Sequence, residues 1–310
     1  MSLLGRAARH GRWLLIGGLA AGILFPALAE RMAAAIVPFL FVMLCVAALR
    51  EGPRAALPGP SQLPRALAAT VTLQAVLPLS AGAALWAVGA LEAPLATAAV
   101  LALAAAPITG TPGLAVMSGA DAGAALRQLA LGTALLPLTA APVFALLPAF
   151  PDPLAVAGGA ARLLALVVLA GLAAALLRRA APGLTAPAAR PALDGVMALA
   201  MSLVVIGLMS AVGPAALTTP GAALGALALA LALYAAQTAG AWRAARAALP
   251  PGAARALAIA AGNRNLALFL AAVPPETAAP LMLFVGCYQI PMYLTPLLLP
   301  RLTGAGATPR

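Results

Sequence analysis

An all-helical membrane fold of ten transmembrane helices in two inverted five-helix repeats is what this 310-residue sequence predicts, on three observations. Hydrophobic residues make up 64% of the chain and charged ones only 8%, whereas a soluble domain carries about a quarter. Apolar stretches of about 20 residues, the length that crosses the hydrocarbon core, recur from end to end. If those stretches alternate in direction, nearly all the arginines fall on one side of the bilayer, as the positive-inside rule requires.

The stretches run from Trp13 to Ala29, Ala33 to Leu49, Ala66 to Ala90, Pro94 to Ser118 and Gly123 to Ala149, then from Leu154 to Leu177, Gly195 to Val212, Gly221 to Trp242, Ala253 to Val273 and Ala278 to Pro300. The first follows Arg6, Arg9 and Arg12 and ends in Ala27-Leu28-Ala29, a pattern that imitates a secretory signal; it is read as a retained span. All 18 basic residues are arginine, and the formal charge is +11. Arg6, Arg9, Arg12, Arg50, Arg54, Arg65, Arg127, Arg178, Arg179, Arg190, Arg243, Arg246, Arg255, Arg301 and Arg310 share one side, with Arg31 and Arg162 on the other beside Glu30, Glu92, Asp152 and Glu276. The basic charge is therefore topological and predicts no nucleic-acid partner. It places both termini in the cytoplasm and the protein, multi-pass, in the cell's inner membrane. Trp13, Trp86 and Trp242 near span ends read as interface anchors.

Five stretches precede the short external connection at 150–153, Phe150-Pro151-Asp152-Pro153, and five follow it. The first repeat is 1–149 and the second 154–310. With an odd number of spans per half, the second half enters the membrane from the opposite face, giving an inverted repeat. The fourth stretch contains Pro107-Ile108-Thr109-Gly110-Thr111-Pro112-Gly113, where proline removes backbone donors and glycine loosens the helix. Its counterpart in the ninth contains Gly262-Asn263-Arg264-Asn265. Broken helices in matching positions of two halves point to a transporter's central site. An arginine at the centre of a membrane helix costs roughly 2.5 to 3.5 kcal/mol on insertion scales unless it faces protein or a wet cavity.

These residues resemble the bile acid:sodium symporter family. Ile16-Gly17-Gly18-Leu19 with Gly22 and Pro26 is similar to its first helix, and Gln74-Ala75-Val76-Leu77-Pro78-Leu79 to its third. Ala106 to Gly113, with Val116-Met117 and Pro137-Leu138, resembles the fourth and fifth helices, and Gly262, Asn265, Leu266 and Ala267 fit the ninth-helix pattern. The resemblance implies that helices 4 and 9 are broken and cross at mid-membrane, and that the activity is secondary transport of organic anions by alternating access. In sodium-binding members an acid and a glutamine of the ninth helix help hold the ion; here those positions are Ala260 and Arg264. The asparagine expected in the fourth helix is also missing. Most of the sodium ligation carried by the motifs is therefore absent, which weakens the case for sodium coupling, and no other cofactor is expected.

A guanidinium can stand in for a bound cation as a permanent charge with five donors, and a substrate carboxylate or sulfonate is a fitting partner for it. The competing role for Arg264 is structural, capping carbonyls of the broken fourth helix. The candidate substrate or ion-binding residues are Gln74, Thr109, Gly110, Thr111, Pro112, Asn263, Arg264, Asn265 and Gln289. For each polar one the structural alternative is an interhelical hydrogen bond, or for threonine a bond to its own helix. Gln237 corresponds to Gln74 in the other half, and Tyr288 is a weaker cavity candidate.

The lone His10 and the two cysteines, Cys45 and Cys287, both within apolar stretches, leave little for catalysis or metal binding. No catalytic residues and no enzyme activity are expected. The partners expected are the lipid bilayer and a small organic anion, and a homo-oligomer is compatible with the sequence. The alternatives are a ten-span drug/metabolite-type carrier, whose fourth and ninth helices would be continuous, and, outside transport, a membrane sensor or a membrane enzyme.

Overall fold

A computed structural model describes residues 3–55, 59–150, 152–273 and 275–303. Pro151 and Arg310 lie outside the described residues, as do the side chains of Arg12, Arg54 and Glu276. Apart from one isolated pairing of extended residues, the secondary structure of the described residues is helical. In chain order the helices are α1 (Leu3–Arg9), α2 (Gly11–Leu24), α3 (Pro26–Ala33), α4 (Ile36–Ala55), α5 (Leu63–Val71), α6 (Leu77–Ala87), α7 (Pro94–Ala104), α8 (Thr111–Met117) and α9 (Ala122–Phe144). They continue as α10 (Pro153–Ala180), α11 (Arg190–Leu208), α12 (Val212–Thr218), α13 (Pro220–Ala245), α14 (Pro251–Gly262), α15 (Ala267–Leu270), α16 (Pro275–Tyr293) and α17 (Thr295–Thr303). A π-turn, Thr72–Val76, joins α5 to α6.

Among the described residues, five helical stretches are long and apolar enough to cross a membrane, or up to seven if each bent pair is one span. The chain is thus a membrane-embedded helical protein. The continuous spans are Leu63–Ala87, Ala122–Phe144, Pro153–Ala180, Pro187–Thr218 and Pro220–Ala245. The first and last predicted stretches are not straight. Trp13–Leu24 and Pro26–Ala33 meet at 110° and Ala278–Tyr293 and Thr295–Thr303 at 71°. The first bend has a local cause: Phe25 precedes a proline, whose ring excludes it from helical geometry, and it sits at φ −121° and ψ 78°. The predicted fourth and ninth stretches are each divided, as α7 with α8 and as α14 with α15.

Helix starts follow local chemistry. Asp121 and Asp152 accept from the N–H groups of Ala124 at 2.9 Å and Ala155 at 2.8 Å, capping α9 and α10. Proline opens α3, α7, α10, α13 and α14, where its missing N–H removes nothing. Lateral packing relies on small residues, since lipid tails provide little hydrophobic drive for helices to associate. At Gly195, for instance, a Cβ would fall 2.1 Å from the Leu4 carbonyl oxygen, so glycine sets how closely α11 approaches α1. Helices α1 to α4 gather around α11, with α10 against α4; α13 packs on α14 and α16, and α9 on α14 and α8. The candidate site lies where these two groups face each other.

Candidate functional site

The breaks in the two divided helices pair with one another. Pro107 and Arg264 form an antiparallel bridge in which the Ile108 N–H donates to the Asn263 carbonyl at 2.9 Å and the Asn265 N–H donates to the Ala106 carbonyl at 2.7 Å. Each interruption thereby supplies partners for backbone groups that the other exposes, which is how non-helical backbone survives inside an apolar protein. Thr111 closes the turn on its own side, its N–H and hydroxyl both donating to the Ile108 carbonyl, at 2.9 and 2.6 Å.

Arg264 completes this satisfaction of backbone groups. Its side chain is among the largest fully buried ones, with 0% exposure. Nε has the Gln237 Oε1 at 3.0 Å and the Ala261 carbonyl at 2.7 Å, Nη1 donates to the Ala105 carbonyl at 2.7 Å, and Nη2 reaches the Leu73 carbonyl at 3.4 Å. Ala105 caps the C-terminal end of α7 and Ala261 lies in the last turn of α14, where carbonyls lack helical donors. Leu73 lies in the π-turn: the Leu77 N–H is drawn to the Thr72 carbonyl, and Pro78, which follows, has no N–H to offer. The guanidinium fork thus gathers orphaned carbonyls from three separate segments. All its acceptors are neutral.

The remaining polar groups extend the same network. Tyr288 donates to the Gly262 carbonyl at 3.0 Å and accepts from Gln237 Nε2 at 2.9 Å, so Gln237 links it to Arg264. Asn263 Nδ2 donates to the Ile259 carbonyl at 2.9 Å. Its Oδ1 lies 2.9 Å from the hydroxyl of Thr295, which accepts from the Tyr234 hydroxyl at 2.8 Å. Gln74 stands beside the crossing, where it donates to the Gly132 carbonyl at 3.1 Å and accepts from Thr139 at 3.0 Å. Gly132 makes this approach feasible, since a Cβ there would lie 2.7 Å from Gln74 Nε2 and 2.9 Å from the Pro107 ring. Gln289 is buried and bonds back to the Val285 carbonyl of its own helix at 3.1 Å.

The packing behind the crossing is equally close. A Cβ at Gly262 would fall 2.0 Å from Thr238 Oγ1 and 3.1 Å from the Tyr234 ring. Rotating the β-branched threonine aside either brings its methyl into the same space or forces a restricted rotamer. Gly262→Ala is therefore expected to destabilise the protein by about 1 to 3 kcal/mol through overpacking. The double variant Gly262→Ala/Thr238→Ala should recover most of this in a thermal unfolding cycle. Absence of recovery would show that Thr238 is not the obstruction.

A separate feature lies alongside. A cavity of about 490 Å³ is bounded by α4, α8, α9, α10 and α11. Of the sequence candidates, Thr109, Gly110 and Pro112 line it, whereas Gln74, Thr111, Asn263, Arg264, Asn265 and Gln289 do not. Its wall is mainly apolar, with Thr133 adding a hydroxyl and Met197 and Met201 a deformable face. Arg50 and Arg178, near the C-terminal ends of α4 and α10, supply positive charge. Arg178 donates to the carbonyls of Leu49 and of Ala48, the latter at 3.2 Å. Arg50 lies 3.1 Å from Asp194. Sequence reasoning passed over Thr133, Arg50 and Arg178 as binding residues. In sequence both arginines carry only the signature of topological charge, and a lone helical threonine carries no signal of its own.

The crossing can hold two helix breaks rigidly, and the cavity can accommodate an apolar body bearing negative charge. No protein-family model and no curated protein matches the chain.

Proposed function

We propose that the chain is a secondary transporter of small organic anions, built like the bile acid:sodium symporters. In this reading it has ten spans in two inverted five-helix repeats with both termini cytoplasmic, in the cell's inner membrane. Substrate occupies the cavity, and the two helix groups move relative to each other around the crossing of the fourth and ninth spans. The observation that carries the reading is the continuity of the cavity, from Arg50 and Arg178 at one end to the helix break at Thr109–Gly113. The paired breaks support it further, because a carrier with continuous fourth and ninth helices would have no such bridge.

Arg264 then has a role unlike direct substrate contact. Its guanidinium is committed to protein carbonyls and Gln237, so it acts as a built-in cation that stabilises the crossing. A permanent positive charge among those oxygens also disfavours a sodium ion nearby. Transport is therefore expected to be independent of sodium. Initial uptake rates for a panel of radiolabelled carboxylates and sulfonates in proteoliposomes should agree in sodium chloride and choline chloride. A strong sodium requirement would refute this part of the reading, and absence of saturable uptake across the panel would refute anion transport.

A further inference from the structure

We propose that Asp194 is a resident carboxylate that engages Arg50 until a ligand anion takes its place, and so sets the affinity of the cavity for anions. The inference rests on the reading of the cavity as an anion site. Arg50, which lines the cavity, brings Nη1 to 3.1 Å from Asp194 Oδ1. Both side chains are about two-fifths exposed, at 41% and 38%, so the pair is within reach of solvent and of a ligand.

The contact is an imperfect one. Asp194 Oδ1 is itself shielded from solvent yet makes no hydrogen bond, so the attraction is charge to charge without the aligned geometry that makes arginine–carboxylate pairs strong. An incoming sulfonate or carboxylate is unconstrained by α11 and can align with the guanidinium fork as Asp194 does not. Arg178, which also lines the cavity, is anchored to neutral carbonyls of α4, so its charge persists. Arg50 and Arg178 both line the cavity, which suits an anionic ligand. The apolar wall and the Thr133 hydroxyl lie beyond, placing the ligand's apolar body deeper and its anion at Arg50.

The test uses naphthalene-2-sulfonate, a monoanion with an apolar body, titrated calorimetrically into the full chain in nanodiscs. Four proteins are compared: the wild type, Asp194→Asn, Arg50→Gln and the double variant, with melting curves for each. Asp194→Asn is expected to bind about two- to fivefold tighter than the wild type, the range that losing a partly exposed competing ion pair implies. The same substitution should change nothing in the Arg50→Gln background, where binding is weaker throughout.

Asp194→Asn binding equal to or weaker than the wild type would overturn the exchange while leaving the anion site in place, provided Arg50→Gln binds less well. Equal tightening in both backgrounds would also overturn it, because Asp194 would then act by long-range charge and not through Arg50. Lower melting together with weaker binding in both backgrounds would identify Asp194 as a structural brace. Failure of all four proteins to bind the sulfonate would overturn the anion site and the exchange together.

Discussion

Arg264→Leu is expected to cost about 3 to 5 kcal/mol of stability, because three buried acceptors and one part-buried one lose their donor and each orphaned buried group costs about 1 to 3 kcal/mol, less the desolvation that the charged wild-type side chain already bears. Replacing a whole buried ion pair with hydrophobic residues is often neutral. That escape is closed here, since three of the four acceptors are main-chain carbonyls of Leu73, Ala105 and Ala261. They stay in place whatever residue occupies position 264. Lysine should rescue little, because one ammonium cannot reproduce a planar fork spanning separate acceptors. Arg264→Gly should be rescued in part by added ethylguanidinium, which raises its melting temperature and not that of the wild type. The measurement is thermal unfolding in detergent, alongside the folded yield on size exclusion. If Arg264→Leu is folded, melts with the wild type and has lost only ligand binding, the guanidinium serves substrate and the structural account fails.

Much of the fold was legible from pattern alone, since long apolar stretches bounded by proline and arginine leave few alternatives to membrane helices. The interruptions at Pro107–Gly113 and Gly262–Asn265 were visible because proline, glycine and asparagine are conspicuous in apolar sequence. A carbonyl of the broken fourth helix is the structural partner the sequence offers Arg264, and Ala105 is one; the reach to Leu73 was not visible. Every residue carries a carbonyl, so nothing in Leu73 announces an orphaned acceptor; only the offset at Leu77 and the missing N–H of Pro78 create one. The bends at Phe25 and Leu294 escaped for a different reason. Hydropathy is blind to direction, and prolines at Pro26 and Pro296 resemble those elsewhere that lie within one continuous helix, such as Pro137 in α9. The cavity was the least legible feature, because alanine, leucine and glycine lining a void look the same in sequence as alanine, leucine and glycine facing lipid.

That last ambiguity allows a sharp test of the cavity. Gly171 on α10 lines it, and a Cβ added there meets nothing within 4 Å. The first atom of a side chain at this position therefore meets no clash, and Gly171→Trp is the substitution to test. It places one of the bulkiest side chains, one that typically buries about 150 to 250 Å², against a space of about 490 Å³. Anion uptake is expected to fall to background. Melting should be unchanged or slightly raised, since glycine inside a helix is less favourable than tryptophan. Gly225→Trp is the control: it too meets nothing within 4 Å, but it lies on an exposed part of α13, apart from the cavity lining, and uptake should persist. Equal loss in both variants would point to bilayer perturbation. Undiminished uptake by a stable Gly171→Trp protein would mean that substrate travels by another route, and Arg50 and Arg178 would revert to topological charge.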